Sequence, residues 1–248
     1  MKVFTHNDFL SVYVHDPAAA RGRLEPIMEA IRDEVVFEEA LPAGEDDIRA
    51  VHTKSHVQSV SGIGLYNISA LAAGAAMQAA EAGMEAPSFG LIRPPGHHAS
   101  ADSCWGFCYF NNMAIAIEHL RASGLIKTAH VLDFDLHYGD GTVNILGSRG
   151  YVSIHNPDEL RREDYLADVA AQLKSIQVDV IAVSAGFDNH IEDWGQTLLT
   201  EDYREMGRMV HAACKRMGAG CFALLEGGYN HSVLGVNVRE FLRGIQGL

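Results

Sequence analysis

Apolar residues fall along this chain in two alternating patterns. Short apolar and β-branched runs at Lys2–Thr5, Val35–Glu38, Ser88–Ile92, His130–Phe134, Tyr151–His155, Val178–Ser184 and Cys221–Leu225 predict strands. Between them, helices are predicted at Arg23–Arg32, Ser69–Ala82, Asn112–Ala122, Tyr165–Ile176, Glu201–Met217 and Val233–Ile245. Met206, Met209, Val210, Ala213 and Met217 follow helical spacing, and Thr200-Glu201-Asp202 suits the start of that helix. Val180-Ile181-Ala182-Val183 is apolar without alternation, as expected of a strand covered on both faces. Repeated strand–helix alternation predicts an α/β fold, with a parallel sheet between helices. Ligands of such sheets sit beyond the carboxyl ends of the strands, so the residues that follow each strand are the ones to inspect.

Composition adds bounds. The chain has 248 residues, 48% apolar and 21% charged, enough for a sizeable core. No repeat or linker divides residues 1–248, which read as a single catalytic domain. The longest purely apolar or Gly run, Ala70–Met77, is far below the ~18 residues of a membrane span. The segment Met1–Asp8 lacks the charge and apolar pattern of a signal peptide. Cys104, Cys108, Cys214 and Cys221 form no Cys-x-x-Cys pair and are too few for a disulfide scaffold, so a reducing cytoplasm is expected. A net charge of −13 argues against general nucleic-acid binding and would attract a cationic substrate.

Four predicted strands end in polar clusters. These are Arg93-Pro94-Pro95-Gly96-His97-His98, Asp135-Leu136-His137-Tyr138-Gly139-Asp140-Gly141, Ala185-Gly186-Phe187-Asp188 and Glu226-Gly227-Gly228-Tyr229. In a parallel sheet all four lie on one edge. Asp135 and His137, two apart at the end of an extended segment, face the same side. With Asp188 from another strand they would hold a catalytic zinc and leave a position open for water. His97 and His98 follow a stiff Pro-Pro-Gly turn and suit proton transfer, with Asp133 and Asp140 available to orient them. Tyr229 could donate to a developing oxyanion, and Gly227-Gly228 allow close approach of the backbone. Trp105-Gly106-Phe107-Cys108-Tyr109-Phe110 could line an apolar slot. Each cluster alone also has a plain structural reading: a capped turn, a surface histidine, a packing aromatic.

Together the clusters are far more specific. Arg93–Ala99, Gly106–Asn112, Asp133–Thr142, Gly186-Phe187-Asp188 and Leu225–Asn230 stand in the order found in the zinc-dependent deacetylases, and the chain resembles that family over about residues 15–245. The family includes histone deacetylases, histone-deacetylase-like amidohydrolases and acetylpolyamine amidohydrolases. The Glu-Gly-Gly-Tyr and Arg-Pro-Pro-Gly-His-His forms look most like its class II and polyamine-type branches. The resemblance implies a three-layer α/β/α fold of the arginase–deacetylase type. It implies zinc on Asp135, His137 and Asp188. His98 backed by Asp140 would transfer protons, and His97 backed by Asp133 would be the electrostatic partner. Tyr229 would polarise the amide carbonyl. Gly106, Phe107 and Gly228 would contact substrate. It further implies a potassium ion on Asp133, Asp135, His137, Ser153 and Ile154.

The family usually carries a long loop and a further strand where Asn156-Pro157-Asp158-Glu159 here runs almost directly into a helix, and the segment between His56 and Ala72 is short as well. These shortenings imply a shallower, more open pocket that lacks its second aromatic wall. The expected activity is removal of an acetyl or other acyl group from an amine, on a small acylated amine or an acyl-lysine peptide. A catalytically weak acyl-lysine-binding module and an arginase-like binuclear hydrolase are the alternatives. Complete His97, His98 and Tyr229 argue against the first. The lack of extra carboxylates around Asp133–His137 argues against the second.

Overall fold

The computed structural model describes residues 1–248. All seven expected strands form: β1 (Lys2–Thr5), β2 (Val36–Glu39), β3 (Ser88–Gly90), β4 (Ala129–Asp133), β5 (Val152–His155), β6 (Val180–Ala185) and β7 (Gly220–Leu225). They make one parallel sheet in the order β2-β1-β3-β7-β6-β4-β5. The central strands β3, β7, β6 and β4 are buried at every residue, whereas the outer β2 and β5 have none buried. This is the pattern that unalternated apolar runs produce when helices cover both faces.

The expected helices are α1 (Glu25–Ile31), α4 (Tyr66–Gly83), α5 (Asn112–Ala122), α7 (Arg162–Ser175), α8 (Thr200–Met217) and α9 (His231–Ile245). Three more appear that periodicity did not reveal: α2 (Glu45–Arg49), α3 (Lys54–Gly62) and α6 (Asp140–Leu146). The first is too short to show a period. Only Val57 and Val60 mark the second as amphipathic, though Thr53 caps it by accepting the His56 N–H. The third begins inside a Gly-Asp-Gly turn signal.

Helix α4 packs on β1, β3 and β7 and joins α2, α3 and α5 in one layer; α1, α7, α8 and α9 form the other. Ala72, Ala73, Ala75, Ala76, Ala79 and Ala80 let α4 lie close to the strands, since small side chains shorten the helix–sheet distance. The start of α8 is closed by Asp202, which accepts the Leu199 N–H at 2.8 Å and takes a bidentate Arg162 at 2.6 and 2.7 Å. No helix is long and apolar enough to cross a membrane.

The four polar clusters follow β3, β4, β6 and β7. These strands are contiguous in the sheet, so the clusters meet above its centre.

Candidate active site

Asp135 and Asp188 leave the ends of β4 and β6 one residue after Phe134 and Phe187, whose rings pack edge to face at 5.7 Å. The carbonyls of those two phenylalanines accept hydrogen bonds from the buried Tyr165 and Tyr203 hydroxyls at 3.3 and 3.2 Å. Each strand end is thus tied to a core residue of α7 or α8. Ligand atoms of Asp135, His137 and Asp188 lie within 4.8 Å of one another. His137 Nδ1 is 3.2 Å from Asp135 Oδ1 and 3.3 Å from Asp188 Oδ2. Backbone N–H groups fix both carboxylates: Leu136 donates to Asp188 Oδ1, His137 to Asp135 Oδ1 and Gly227 to Asp135 Oδ2. Asp188 Oδ2 is buried with no hydrogen-bond partner. A buried carboxylate oxygen left bare beside a second carboxylate and an imidazole is the donor set of a divalent cation, and zinc fits it. Burial and the Asp135 charge push Asp188 up to about 6, while the hydrogen bond to Asp135 and the nearby Asp188 carboxylate hold His137 at about 10.

Gly227 is required here. A Cβ on it would stand 2.5 Å from Oδ2 of both Asp135 and Asp188.

The two histidine–carboxylate pairs form as expected. His97 Nδ1 meets Asp133 Oδ2 at 3.1 Å, and His98 Nδ1 meets Asp140 Oδ1 at 2.7 Å, with the imidazole centroids 4.0 Å apart. Burial lowers His98 to about 4, helped by the His97 charge. For His97 burial acts the same way, but the charges of Asp135 and Asp133 outweigh it and hold the ring well above its usual value. Two adjacent imidazoles are thus driven apart, His98 downward and His97 upward. Glu226 Oε2 accepts the Gly96 and His97 N–H groups at 2.7 and 3.3 Å and so fixes the turn that aims both rings. His97, Cys108 and Glu226 also cluster closely enough to resemble a metal site, but these internal bonds already use His97 Nδ1 and Glu226 Oε2.

Tyr229 is set by two groups that no local sequence pattern marks. The buried Arg23 donates to the Gly228 carbonyl at 2.9 Å and the Glu226 carbonyl at 2.5 Å, and its guanidinium lies 5.4 Å from the Tyr229 ring centroid. Asp193 Oδ2 accepts the N–H groups of Tyr229 and Asn230, both at 2.7 Å. Arg23 clamps carbonyls some two hundred residues away in sequence, and Asp193 reads as one more acid in a polar loop. Neither leaves a local pattern.

A cavity of about 110 Å³ opens over these groups, lined by Pro95, His97, His98, Trp105, Gly106, Phe107, His137, Trp194, Gly227 and Tyr229. Gly106 and Phe107 line it as expected. Gly228 does not: its carbonyl turns to Arg23, and Gly227 faces the cavity instead. Phe107 adopts φ +68°, a left-handed backbone that is uncommon outside glycine, beside Gly106 at φ +58°.

Of the five residues expected around potassium, Ser153 turns to another partner. Ser153 pairs in register with His130, and its hydroxyl bonds His130 Nδ1 at 2.8 Å. Asp133 lies three residues further along β4, so its side chain is on the opposite face of the sheet from His130 and Ser153.

The histone deacetylase domain family matches residues 18–160 and 147–245. The chain belongs to the histone deacetylase family. It is 33% identical to a probable deacetylase of Methanothermobacter thermautotrophicus, over 99% of this chain and 91% of that one. It is 30% identical to an acetylpolyamine amidohydrolase of Burkholderia pseudomallei, over 96% and 73%. Its fold matches a crystal structure of the HDA15 HD domain with a TM-score of 0.86 at 22% identity, over 99% and 89% of the two chains. The Methanothermobacter alignment runs to 304 positions against 248 residues here, so that relative carries segments this family member lacks. The two family matches overlap at residues 147–160, on β5 and the short loop behind it.

Proposed function

We propose that this chain is a zinc-dependent amidohydrolase that removes an acetyl or other short acyl group from an amine, either a small acylated amine or an acyl-lysine peptide. The observation that carries the reading is the bare, buried Asp188 Oδ2 beside Asp135 and His137, directly under the His97–His98 pair and Tyr229. Relatives bearing deacetylase and acetylpolyamine amidohydrolase names support the same reaction class.

Asp135, His137 and Asp188 would hold zinc, which when bound supplies Lewis acidity toward water and the amide carbonyl. The chain's own groups do the rest. His98, neutral and held by Asp140, accepts the proton of the attacking water at Nε2. Water oxygen adds to the carbonyl carbon, and the Tyr229 hydroxyl donates to the carbonyl oxygen as it gains charge. The charged His97, fixed by Asp133, stabilises that negative charge. The C–N bond breaks as the nitrogen takes the proton from His98, which frees the amine and the carboxylic acid. Burial drives the Tyr229 phenol far above its usual range, so it stays a donor at every working pH.

A substrate panel of acetylated polyamines, acyl-lysine peptides and small acetamides, run with and without a zinc chelator, tests the proposal. Turnover that the chelator abolishes and added zinc restores is expected. Tyr229→Phe should lower kcat about a hundredfold, and a loss below about tenfold would contradict its role at the oxyanion.

A further inference from the structure

The sequence implies a channel missing one wall, yet the cavity is ringed. Trp105 stacks on His98 at 3.8 Å, His98 stands 6.0 Å from His137, and His137 stands 6.1 Å from Trp194. Trp194 stacks on Tyr229 at 4.0 Å and 23°, and Tyr229 meets Phe107 edge to face at 6.0 Å. Gly106 links Phe107 back to Trp105, which closes the circuit. Every lining residue comes from the segments after β3, β4, β6 and β7. The short segment after β5 contributes none; Asn156, Pro157, Asp158, Glu159 and Leu160 line a separate cavity with Tyr138.

We propose that Trp194 supplies the second wall of the substrate channel in place of the shortened loop, and that it selects amines carrying an unbranched alkyl chain. The proposal rests on the amidohydrolase reading and adds the residue that reads the chain. Trp194 is held to this place. Its own N–H donates to Asp193 Oδ1 at 2.8 Å, and the Gly195 N–H donates to the Asp188 carbonyl at 2.8 Å. The loop bearing the indole is therefore anchored to the Asp188 backbone on one side and, through Asp193, to the Tyr229 backbone on the other. The indole is still 49% exposed, so it presents ring surface to whatever enters rather than filling a core. A flat apolar face beside Tyr229 suits a methylene chain leaving the amide nitrogen. A bulky branch there would meet the stacked ring pair.

The test is a series of N-acetylated diamines from ethylene to hexamethylene, with N-methylacetamide as the chainless reference. In Trp194→Ala, KM for the hexamethylene compound should rise about tenfold, roughly the worth of two buried methylenes. KM for the ethylene compound and N-methylacetamide should stay within about twofold, with kcat little changed. Trp194→Phe should restore most of the chain-length preference. A uniform fall in kcat across the series would show that Trp194 only props Tyr229 and would overturn the proposal; so would an unchanged preference. Trp105 and Trp194 are the only two tryptophans, so in Trp105→Phe the emission reports Trp194 alone. It should shift on adding the hexamethylene compound and not with N-methylacetamide, a binding readout that needs no turnover. Emission indifferent to both overturns the assignment. Wild-type protein that hydrolyses no member of the series counts against the amidohydrolase reading, and the emission result then judges Trp194 separately.

Discussion

At the floor of the cleft, Asp135 and Asp188 are buried, and their oxygens are gripped by backbone N–H groups of Leu136, His137 and Gly227. At its mouth, Trp105 and Trp194 keep 54 and 49% of their surface exposed. The floor is built from charges whose positions the strands dictate. The mouth is built from ring faces on loops, where contact is broad and weakly directional. A displaced buried charge loses both its partners and its purpose, whereas a displaced ring loses part of a contact. On the proposed reading, the chemistry falls to the floor and the choice of substrate chain to the mouth.

The largest effect should come from the floor itself. Asp188→Ala removes the bare Oδ2 and the acceptor of the Leu136 N–H. We expect kcat/KM to fall about a thousandfold or more, since the reaction loses its Lewis acid along with the ligand. Metal analysis should find less than the wild-type zinc content per chain. Retention of a tenth of the activity would break the distinction between floor and mouth.

Gly106→Ala comes next. Its Cβ would collide with the His98 ring, and φ +58° is poorly suited to alanine. We expect kcat to drop about a hundredfold through misplacement of one imidazole, with the circular dichroism spectrum unchanged. Such a loss would place Gly106 with the floor, although it lines the mouth.

The same division governs what the sequence makes legible. All seven strands and the meeting of Asp135, His137 and Asp188 are readable, because β-branched runs and the Asp-x-His spacing are local patterns. The pairings of His97 with Asp133 and His98 with Asp140 are legible only through the family resemblance, because β7 and β6 stand between β3 and β4 in the sheet. Arg23 and Asp193, which aim Tyr229, are not readable, because their partners are backbone groups distant in the chain. Trp194 is hidden because its role depends on which loop is missing elsewhere.

Acid should weaken the supports of the floor. Burial, together with the charge of His56, lowers His52 to about 4, and its Nε2 accepts the Asn111 N–H at 2.9 Å. Asn111 in turn holds the Ala99 carbonyl, one residue past His98, at 2.9 Å. Burial and His155 likewise lower His130 to about 4. Both folded values lie below the unfolded value of about 6.5, so the unfolded chain binds more protons between them. The stability from these neutral rings is full above that value and is lost as pH falls toward 4, at about 3 kcal/mol for each. Denaturation midpoints of the metal-loaded protein should fall between pH 7 and 5, and His52→Gln with His130→Asn should flatten that fall. An equal slope in the double variant would move the acid sensitivity elsewhere.

The smallest effect should come from Trp105→Phe. The indole N–H donates to Asp140 Oδ2 at 2.8 Å, while Asp140 Oδ1 holds His98. Phenylalanine keeps a ring face over His98 but loses that donor. The Asp140 side chain is 44% exposed, so water can replace the lost hydrogen bond. We therefore expect kcat to fall only about threefold with KM nearly unchanged, and Trp105→Ala to cost more because the stacked face goes too. Asp140→Ala, measured beside them, should cost about a hundredfold or more as His98 loses its orienting carboxylate. If Trp105→Phe matched that loss, the indole would belong to the proton-transfer machinery, and the boundary between floor and mouth would run outside Trp105.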